Sequence, residues 1–209
     1  MVVGEGLERV NCGWGIVLNR HKLSFMPETD PLPRFTYHPD PVATGTIVRS
    51  EVECVVCGLS RGWIYTGPTY CETDIDEQIC PWCIADGRAH QKFGAEFVDP
   101  PGIGGYGKWS PVPRSVVEVV SQRTPSFSGW QQERWFTHCD DAAVFLGPVG
   151  KSELEELGPA AREAIKVESG YDEAQWSFYF EQMDKQYGPT GYVFRCRRCG
   201  VFGGYSDCL

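Results

Sequence analysis

Four cysteines with the spacing of metal ligands are the residues that could do chemistry here. They form two short pairs, Cys54-x-x-Cys57 and Cys80-x-x-Cys83. Zn²⁺ takes four soft, deprotonated ligands in a tetrahedron, and two tight Cys-x-x-Cys turns can supply two thiolates each. The intervening residues 58–79, 22 in all, are enough for the β-hairpin of a zinc ribbon. We therefore predict a structural zinc site.

The residues around these pairs favour a metal-binding turn over a redox pair. Gly58 follows the first pair, where a tight turn often requires glycine, and Pro81 restricts the backbone within the second. Two free dithiols or a redox-active pair would need a thioredoxin-like βαβ context, which the sequence does not contain.

A third pair of the same spacing lies near the end of the sequence. Cys196 and Cys199 are followed by Gly200, as the first pair is followed by a glycine. This similarity predicts a second metal-binding turn. The alternative is a turn without metal, whose thiols are simply buried.

A second zinc ion would need two further ligands from outside the three pairs. We favour Cys139 with either Cys208 or His138, although neighbours such as His138 and Cys139 seldom both reach one ion. The less favoured candidates are Cys12, Cys71 and His21. One zinc ion is therefore expected and a second is possible.

Cys139 and His138 are also the residues from which a nucleophilic site could be built, because low-pKa thiolates attack carbonyl groups. No third residue that would orient the histidine and no oxyanion donors occur in a recognisable spacing. We do not expect an enzyme.

Charge and composition bound the class of protein. A hydrophobic content of 42% and an aromatic content of 13% over 209 residues predict a folded chain with a full core. No signal peptide or membrane span is visible, so we expect a cytoplasmic protein whose cysteines stay reduced. The net charge of −9 favours a cationic partner and disfavours nucleic acid.

Three arginines around the third pair could still contact phosphate. They are Arg195, Arg197 and Arg198. In an acidic protein such residues more often pair with local carboxylates, which is the interpretation we favour.

Local patterns predict the elements that position the first four cysteines. Thr46–Glu53 and Gly62–Thr66 indicate two strands around the first pair, and Trp82–Phe93 indicates a helix after the second. An acidic patch between the pairs consists of Glu72, Asp74, Asp76 and Glu77. A Gly/Pro-rich connection at 99–111 is the best boundary candidate, and it suggests a zinc-ribbon lobe at 34–98 and a body at 99–209. Residues 1–33 are expected to form an irregular extension, in which Gly15–Asn19 could be a strand.

Helices and strands are both expected in the body. A helix is predicted from Pro113 to about Gln122. Capping-box patterns predict three more helices, which begin at Ser128, Ser152 and Asp172, the last running over Glu173–Gln186. Strands are expected at Ala142–Val149 and Tyr192–Arg195. The fold class is therefore α+β, a zinc-ribbon lobe joined to a helix-bearing body.

Longer motifs resemble one family across residues 34–207. They are Phe35-Thr36-Tyr37-His38-Pro39-Asp40-Pro41, Cys54-x-x-Cys57-Gly58, Tyr65-Thr66-Gly67-Pro68, Cys80-Pro81-Trp82-Cys83-Ile84-Ala85-Asp86-Gly87, Arg123-Thr124-Pro125, Gly129 to Trp135, His138-Cys139 and Tyr192-x-Phe194-Arg195-Cys196-x-x-Cys199-Gly200. In these motifs the chain resembles the CbrC family of colicin-tolerance proteins. Cys208 departs from the pattern, which weakens it as a ligand.

The resemblance implies tolerance of, or immunity to, bacterial toxins, with no established enzymatic activity and no known binding surface. We therefore expect an immunity-type protein that binds and neutralises a toxin domain, and a basic toxin suits the negative charge. The alternative is a zinc-ribbon adaptor that binds nucleic acid or regulates another protein through Arg195–Arg198.

Overall fold

Short strands separated by glycine- and proline-rich turns build three small antiparallel sheets in the computed structural model, which describes residues 31–208. The strands are β1 (Ile47–Arg49), β2 (Trp63–Tyr65), β3 (Thr137–His138), β4 (Asp141–Ala142), β5 (Val144–Val149), β6 (Thr190–Arg195) and β7 (Phe202–Asp207). Strands β1 and β2 pair, β3 and β4 pair, and the third sheet has the order β5-β6-β7.

Six α-helices accompany these strands, so the predicted α+β class is confirmed for the described residues. They are α1 (Pro81–Ala85), α2 (Arg88–Phe93), α3 (Arg114–Arg123), α4 (Lys151–Leu157), α5 (Pro159–Ser169) and α6 (Glu173–Glu181). None of them is long and apolar enough to cross a membrane.

The buried residues form three clusters. The first is drawn from residues 35–97 and includes the thiols of Cys54, Cys80 and Cys83. The second is aromatic and centres on Trp135, while the third packs α4, α5 and α6 against the three-stranded sheet. Thiols behave as small apolar groups when buried, so the first cysteine group is continuous with a hydrophobic core.

The hairpin predicted around the first pair is present but short. Strand β1 pairs with β2 in a register that sets Ile47 opposite Tyr65. The helix expected at Trp82–Phe93 is two helices, because Gly87 adopts a left-handed conformation with φ of 79° and caps the start of α2. A continuous helix cannot contain that conformation.

The helix predicted from Ser128 is wrong. Residues 128–134, here called the motif loop, contain no helix. Trp135 is fully buried, and its backbone exchanges hydrogen bonds with Gly102 and Gly104. Tertiary partners for the backbone outweighed the local capping signal.

The other capping signals gave mixed results. Asp172 caps α6 and accepts a hydrogen bond from the backbone of Gln175, as predicted, although the helix ends at Glu181 rather than Gln186. Helix α4 begins one residue before Ser152, because Gly150 is the N-cap and Glu153 supplies the returning side chain. Helix α5 and strand β7 were not predicted.

The strand suggested at 15–19 and most of the extension at 1–33 lie outside the described residues. The division into a lobe at 34–98 and a body at 99–209 stays a prediction.

Candidate metal centres

The four cysteines of the first two pairs meet in one cage. Their Sγ atoms all lie within 4.8 Å of one another. The distances from Cys54 to Cys83 and from Cys57 to Cys80 are both 3.8 Å. A tetrahedral site with Zn–S bonds of about 2.3 Å has S···S edges of about 3.8 Å. The cage therefore has the size of a single-ion tetrathiolate site.

Strand pairing brings the two halves of this first centre together. The backbone N–H of Tyr65 donates to the carbonyl of Ile79 over 2.9 Å, and that of Val55 donates to Gln78 over 3.0 Å. These bonds place the segment before Cys80 alongside the first turn. The N–H of Cys80 then lies 3.3 Å from the Sγ of Cys54, a contact that stabilises a thiolate.

The third pair meets His138 and Cys139 in a second cage. These four residues also place one ligand atom each within 4.8 Å of the others. Nδ1 of His138 lies 3.1 Å from Cys139 Sγ and 3.4 Å from Cys199 Sγ, and the two sulfurs are 3.8 Å apart. Mixed Zn–N and Zn–S bonds give N···S edges of about 3.5 Å, so this group also fits one tetrahedral ion.

A hairpin turn lets two adjacent residues face the same point. Strands β3 and β4 pair His138 with Asp141, which leaves Cys139 and Asp140 as the two-residue loop. Both loop residues have positive φ, 54° and 52°. This is the geometry of a type I′ turn, which glycine or asparagine normally occupies. The expectation that neighbours seldom share an ion is wrong for this geometry.

Both centres contain the same backbone turn, here called the knuckle. In the first, the N–H of Cys54 donates to Leu59 over 3.1 Å, and Gly58 donates to Cys54 over 2.7 Å. In the second, Cys196 donates to Val201 over 2.8 Å, and Gly200 donates to Cys196 over 3.0 Å.

The predicted similarity of the first and third pairs is therefore confirmed at the level of the backbone. The glycines have φ of 68° and 76°, which other residues rarely adopt.

A family model described as "Uncharacterised protein family (UPF0167)" matches residues 32–208. The chain belongs to this family. UPF0167 proteins of Mycobacterium bovis and Mycobacterium tuberculosis are each 48% identical to it over 185 residues, which is 84% of this chain and 93% of the relative.

A third relative comes from a different bacterial group. A UPF0167 protein of Pseudomonas aeruginosa is 36% identical over 171 residues, covering 81% of this chain and 93% of the relative. No solved structure matches the chain significantly.

Cys208 and Cys71, the other candidate ligands within the described part of the chain, lie apart from both centres of this UPF0167 protein. Cys208 follows the end of β7 that pairs with Thr190, whereas Cys196 follows the other end of β6. Six paired positions separate these two ends, roughly 20 Å at the usual rise of a strand. The thiol of Cys71 contacts the carbonyl of Thr73 instead. Cys12 and His21 lie outside the described residues.

Protonation differs between the thiols within each cage. Hydrogen bonds with Cys80 and Cys83 lower the pKa of Cys54, whereas the bond with Cys54 raises the pKa of Cys80 to about 12. A group with such opposed pKa values becomes a full set of thiolates only when a cation binds. The hydrogen bond with Cys199 raises the pKa of Cys139 to about 11, the opposite of what an activated nucleophile needs.

Sequence reasoning missed the residue that joins the two halves of the second centre. Asp141, at the start of β4, accepts a hydrogen bond of 3.0 Å from Arg197 in the knuckle. Its other oxygen accepts a bond of 2.7 Å from the hydroxyl of Tyr37. Burial and this carboxylate together raise the pKa of Tyr37 to about 12, so the hydroxyl stays a donor. The only available signal was the occurrence of Tyr37 in the first shared motif.

Proposed function

We propose that both centres hold structural zinc and that the protein is a non-catalytic binding protein of the immunity type. The observation that carries this proposal is that each cage has four ligands from the chain itself. Structural zinc sites are closed in this way, whereas catalytic ones keep a position for water or substrate. Thiolates with one imidazole are the donors that zinc prefers, and the cage edges leave room for one ion.

The proposed partner is a basic toxin domain in the cytoplasm. The net charge of −9 would speed the capture of such a domain. The resemblance to the colicin-tolerance proteins of the CbrC family supports immunity as the outcome, and membership of UPF0167 is compatible with it.

The acidic patch is a suitable contact surface. Its members Glu72, Asp74, Asp76 and Glu77 are all exposed. Buried Ile75 and Ile79 fix the same segment, which leads directly into Cys80. A metal at the first centre would hold these carboxylates in place, so that little conformational entropy is lost when the partner binds.

A nucleic-acid adaptor is less well supported. Arg197 is paired with Asp141, and Arg195 donates to the carbonyl of Gly200 over 3.2 Å. Two of the three arginines thus have structural contacts beside the second centre.

Co-production with a candidate toxin tests the function. A basic toxin domain encoded beside the gene is produced with the wild-type protein, and growth and co-purification are measured. A variant that carries both Asp74→Lys and Asp76→Lys should protect less well, because the substitutions remove the attraction between the patch and the basic domain. Glu163→Lys on α5 reverses one exposed charge away from the patch and should leave protection intact. The immunity proposal is wrong if the wild-type protein neither binds nor protects.

A further inference from the structure

The thiols of the second centre differ from those of the first in their access to solvent. Cys199 is exposed and Cys139 is partly exposed, whereas three of the four cysteines in the first centre are buried. Buried structural cysteines are inert, while reactive ones lie in partly exposed, electropositive surroundings. A small oxidant dissolved in water therefore reaches the second centre more easily than the first.

Positive charge is concentrated beside the exposed thiol. Three exposed arginines flank the third cysteine pair: Arg195, Arg197 and Arg198. Arg198 directly precedes Cys199, and Arg197 is held at the centre by its hydrogen bond of 3.0 Å to Asp141. Exposure and neighbouring cations are together typical of the cysteines that oxidants modify.

The two accessible sulfurs are already neighbours. Sγ of Cys139 lies 3.8 Å from Sγ of Cys199, although the residues are 60 positions apart in the chain. A disulfide needs sulfurs about 2.05 Å apart, so the two atoms must approach each other by about 2 Å. Neither residue belongs to a buried hydrophobic cluster, so rotation of the side chains can close that gap once a metal has left.

We propose that Cys139 and Cys199 form a reversible disulfide when a peroxide oxidises the second centre, and that the metal is released in the same reaction. Cys196 is only 4% exposed and stays reduced. This inference rests on the metal sites of the proposed function, because it describes how one of them is emptied. It does not depend on the identity of the toxin.

The reaction consumes one molecule of hydrogen peroxide. A bound metal keeps both sulfurs as thiolates. The thiolate of Cys199 attacks one peroxide oxygen and the O–O bond breaks, which leaves a sulfenic acid and a hydroxide that takes a proton from solvent. The thiolate of Cys139 then attacks the sulfenic sulfur, the S–O bond breaks, and a second hydroxide takes a proton.

Atoms and electrons balance in this sequence. The two thiolates lose two electrons, and the peroxide and two protons become two molecules of water. A Zn²⁺ ion in the centre would lose two of its four ligands and leave without any change in oxidation state.

The disulfide would replace the metal as the link between the same two segments. Cys139 lies in the loop of the β3–β4 hairpin, and Cys199 lies in the knuckle that follows β6. A covalent link between distant residues restricts the unfolded chain, as a shared metal does. The oxidised protein should therefore stay folded while it gives up one ion.

Peroxide treatment of a metal-loaded Cys208→Ser protein tests the proposal. The substitution is needed because Cys208 shares a tryptic peptide with Cys199. Trypsin places the three thiols of the second centre in separate peptides, which are 135–151, 196–197 and 199–209. We expect mass spectrometry to find 135–151 linked to 199–209, and elemental analysis after desalting to find one of two ions lost. Dithiothreitol followed by Zn²⁺ should restore both ions.

Three results would overturn the proposal. The first is a link between peptides 196–197 and 199–209 in place of the expected one. The second is irreversible sulfinic acid at Cys199 without any link. The third is loss of both ions at the same rate, since the buried thiols of the first centre should be protected.

Two variants test the order of the steps. Cys139→Ser removes the second thiolate, so the sulfenic acid should accumulate on Cys199, where dimedone labels it. Cys71→Ser is the matched control, because Cys71 lies outside both cages, and it should form the link without a dimedone label. A Cys139→Ser protein whose Cys199 is not labelled would contradict the assignment of Cys199 as the thiolate that peroxide oxidises first.

The two proposals can fail separately. A protein that contains two ions but forms no link with peroxide would remove the disulfide and leave the metal centres in place. A protein that forms the link but never holds metal at the second centre would do the reverse.

Discussion

The two candidate metal centres share one knuckle but are enclosed in different ways. In the first, Cys54, Cys80 and Cys83 are buried within an apolar core. In the second, Cys199 is exposed and Cys139 is partly exposed on a strained turn. The knuckle is thus a local feature, whereas the role of a metal bound at either centre would depend on what surrounds it. We infer that the first centre holds a core together and that the second joins a hairpin to the edge of a sheet.

Removing a ligand from the first centre should have the largest effect. Zinc binding at structural sites contributes about 10–16 kcal/mol, comparable with the whole stability of a domain. In Cys54→Ser we expect the metal content to fall from two ions to one and the core of residues 35–97 to unfold. Elemental analysis, near-ultraviolet circular dichroism and limited proteolysis measure these outcomes.

Cys71→Ser is the matched control, since Cys71 packs against the same core without joining the cage. It should keep both ions and its resistance to protease. A Cys54→Ser protein that behaves in the same way would abolish the distinction between the centres.

Loss of the second centre should be milder. His138→Ala should remove one ion while the first core stays folded, because none of its ligands belongs to that core. We expect a loss of about 2–3 kcal/mol, or roughly 5–10 °C in the melting temperature of the chain. With a chelator, the wild type should release its ions in two phases, and the faster phase should be missing in the variant.

Cys208→Ser serves as the control and should release metal as the wild type does. If the faster phase survives in His138→Ala, the second centre is not the one that releases its ion faster, and the predicted order of the two centres is wrong.

Both knuckles could be predicted because their signals are local. Two cysteines and a glycine within five residues define each turn, and Gly58 and Gly200 have the conformation that the spacing requires. The hydrogen bond that joins the two halves of the second centre depends instead on long-range pairing. Asp141 and Arg197 are 56 positions apart, and no local pattern links them.

The errors in the body have the same origin. The motif loop carries a capping pattern, but Thr190, Tyr192, Tyr205 and Asp207 provide its hydrogen-bond partners from another part of the chain. Strand β7 contains Gly203 and Gly204, which lower its strand propensity, so it could be recognised only from its pairing with β6. Helix α5 did carry a signal, a proline at its first turn.

Release of metal in acid can distinguish the two centres only after the effect of His38 on the stability of the fold in acid is removed. This residue is fully buried, and burial lowers its pKa from 6.5 to about 4. The unfolded chain therefore binds a proton that the folded chain refuses between pH 6.5 and 4. Stability from this group is complete above pH 6.5 and falls by up to about 3 kcal/mol as the pH drops to 4.

In the folded state Nδ1 of His38 lies 2.8 Å from the carbonyl of Pro125, and Nε2 lies 2.7 Å from the hydroxyl of Thr44. The neutral ring can donate to the first and accept from the second. His38→Gln retains a donor and an acceptor without the titration. The free energy of unfolding, measured with urea at several pH values between 6.5 and 4, should depend less steeply on pH in the variant. An equal dependence on pH in the two proteins would remove His38 from the explanation of acid sensitivity.

The smallest expected effect concerns strain in the turn of the second centre. Asp140 has φ of 52°, a conformation that costs a residue other than glycine about 1 kcal/mol. Glycine is also favoured at the second position of a type I′ turn. Asp140→Gly should therefore raise the melting temperature by a few degrees and slow metal release from the second centre only.

Gly158→Ala is the control and introduces the opposite strain elsewhere. Gly158 has φ of 91°, and no atom lies within 4 Å of the added methyl group, so this variant should lower the melting temperature without changing metal release. If Asp140→Gly instead speeds release, the carboxylate contributes to the centre in a way that backbone strain does not explain.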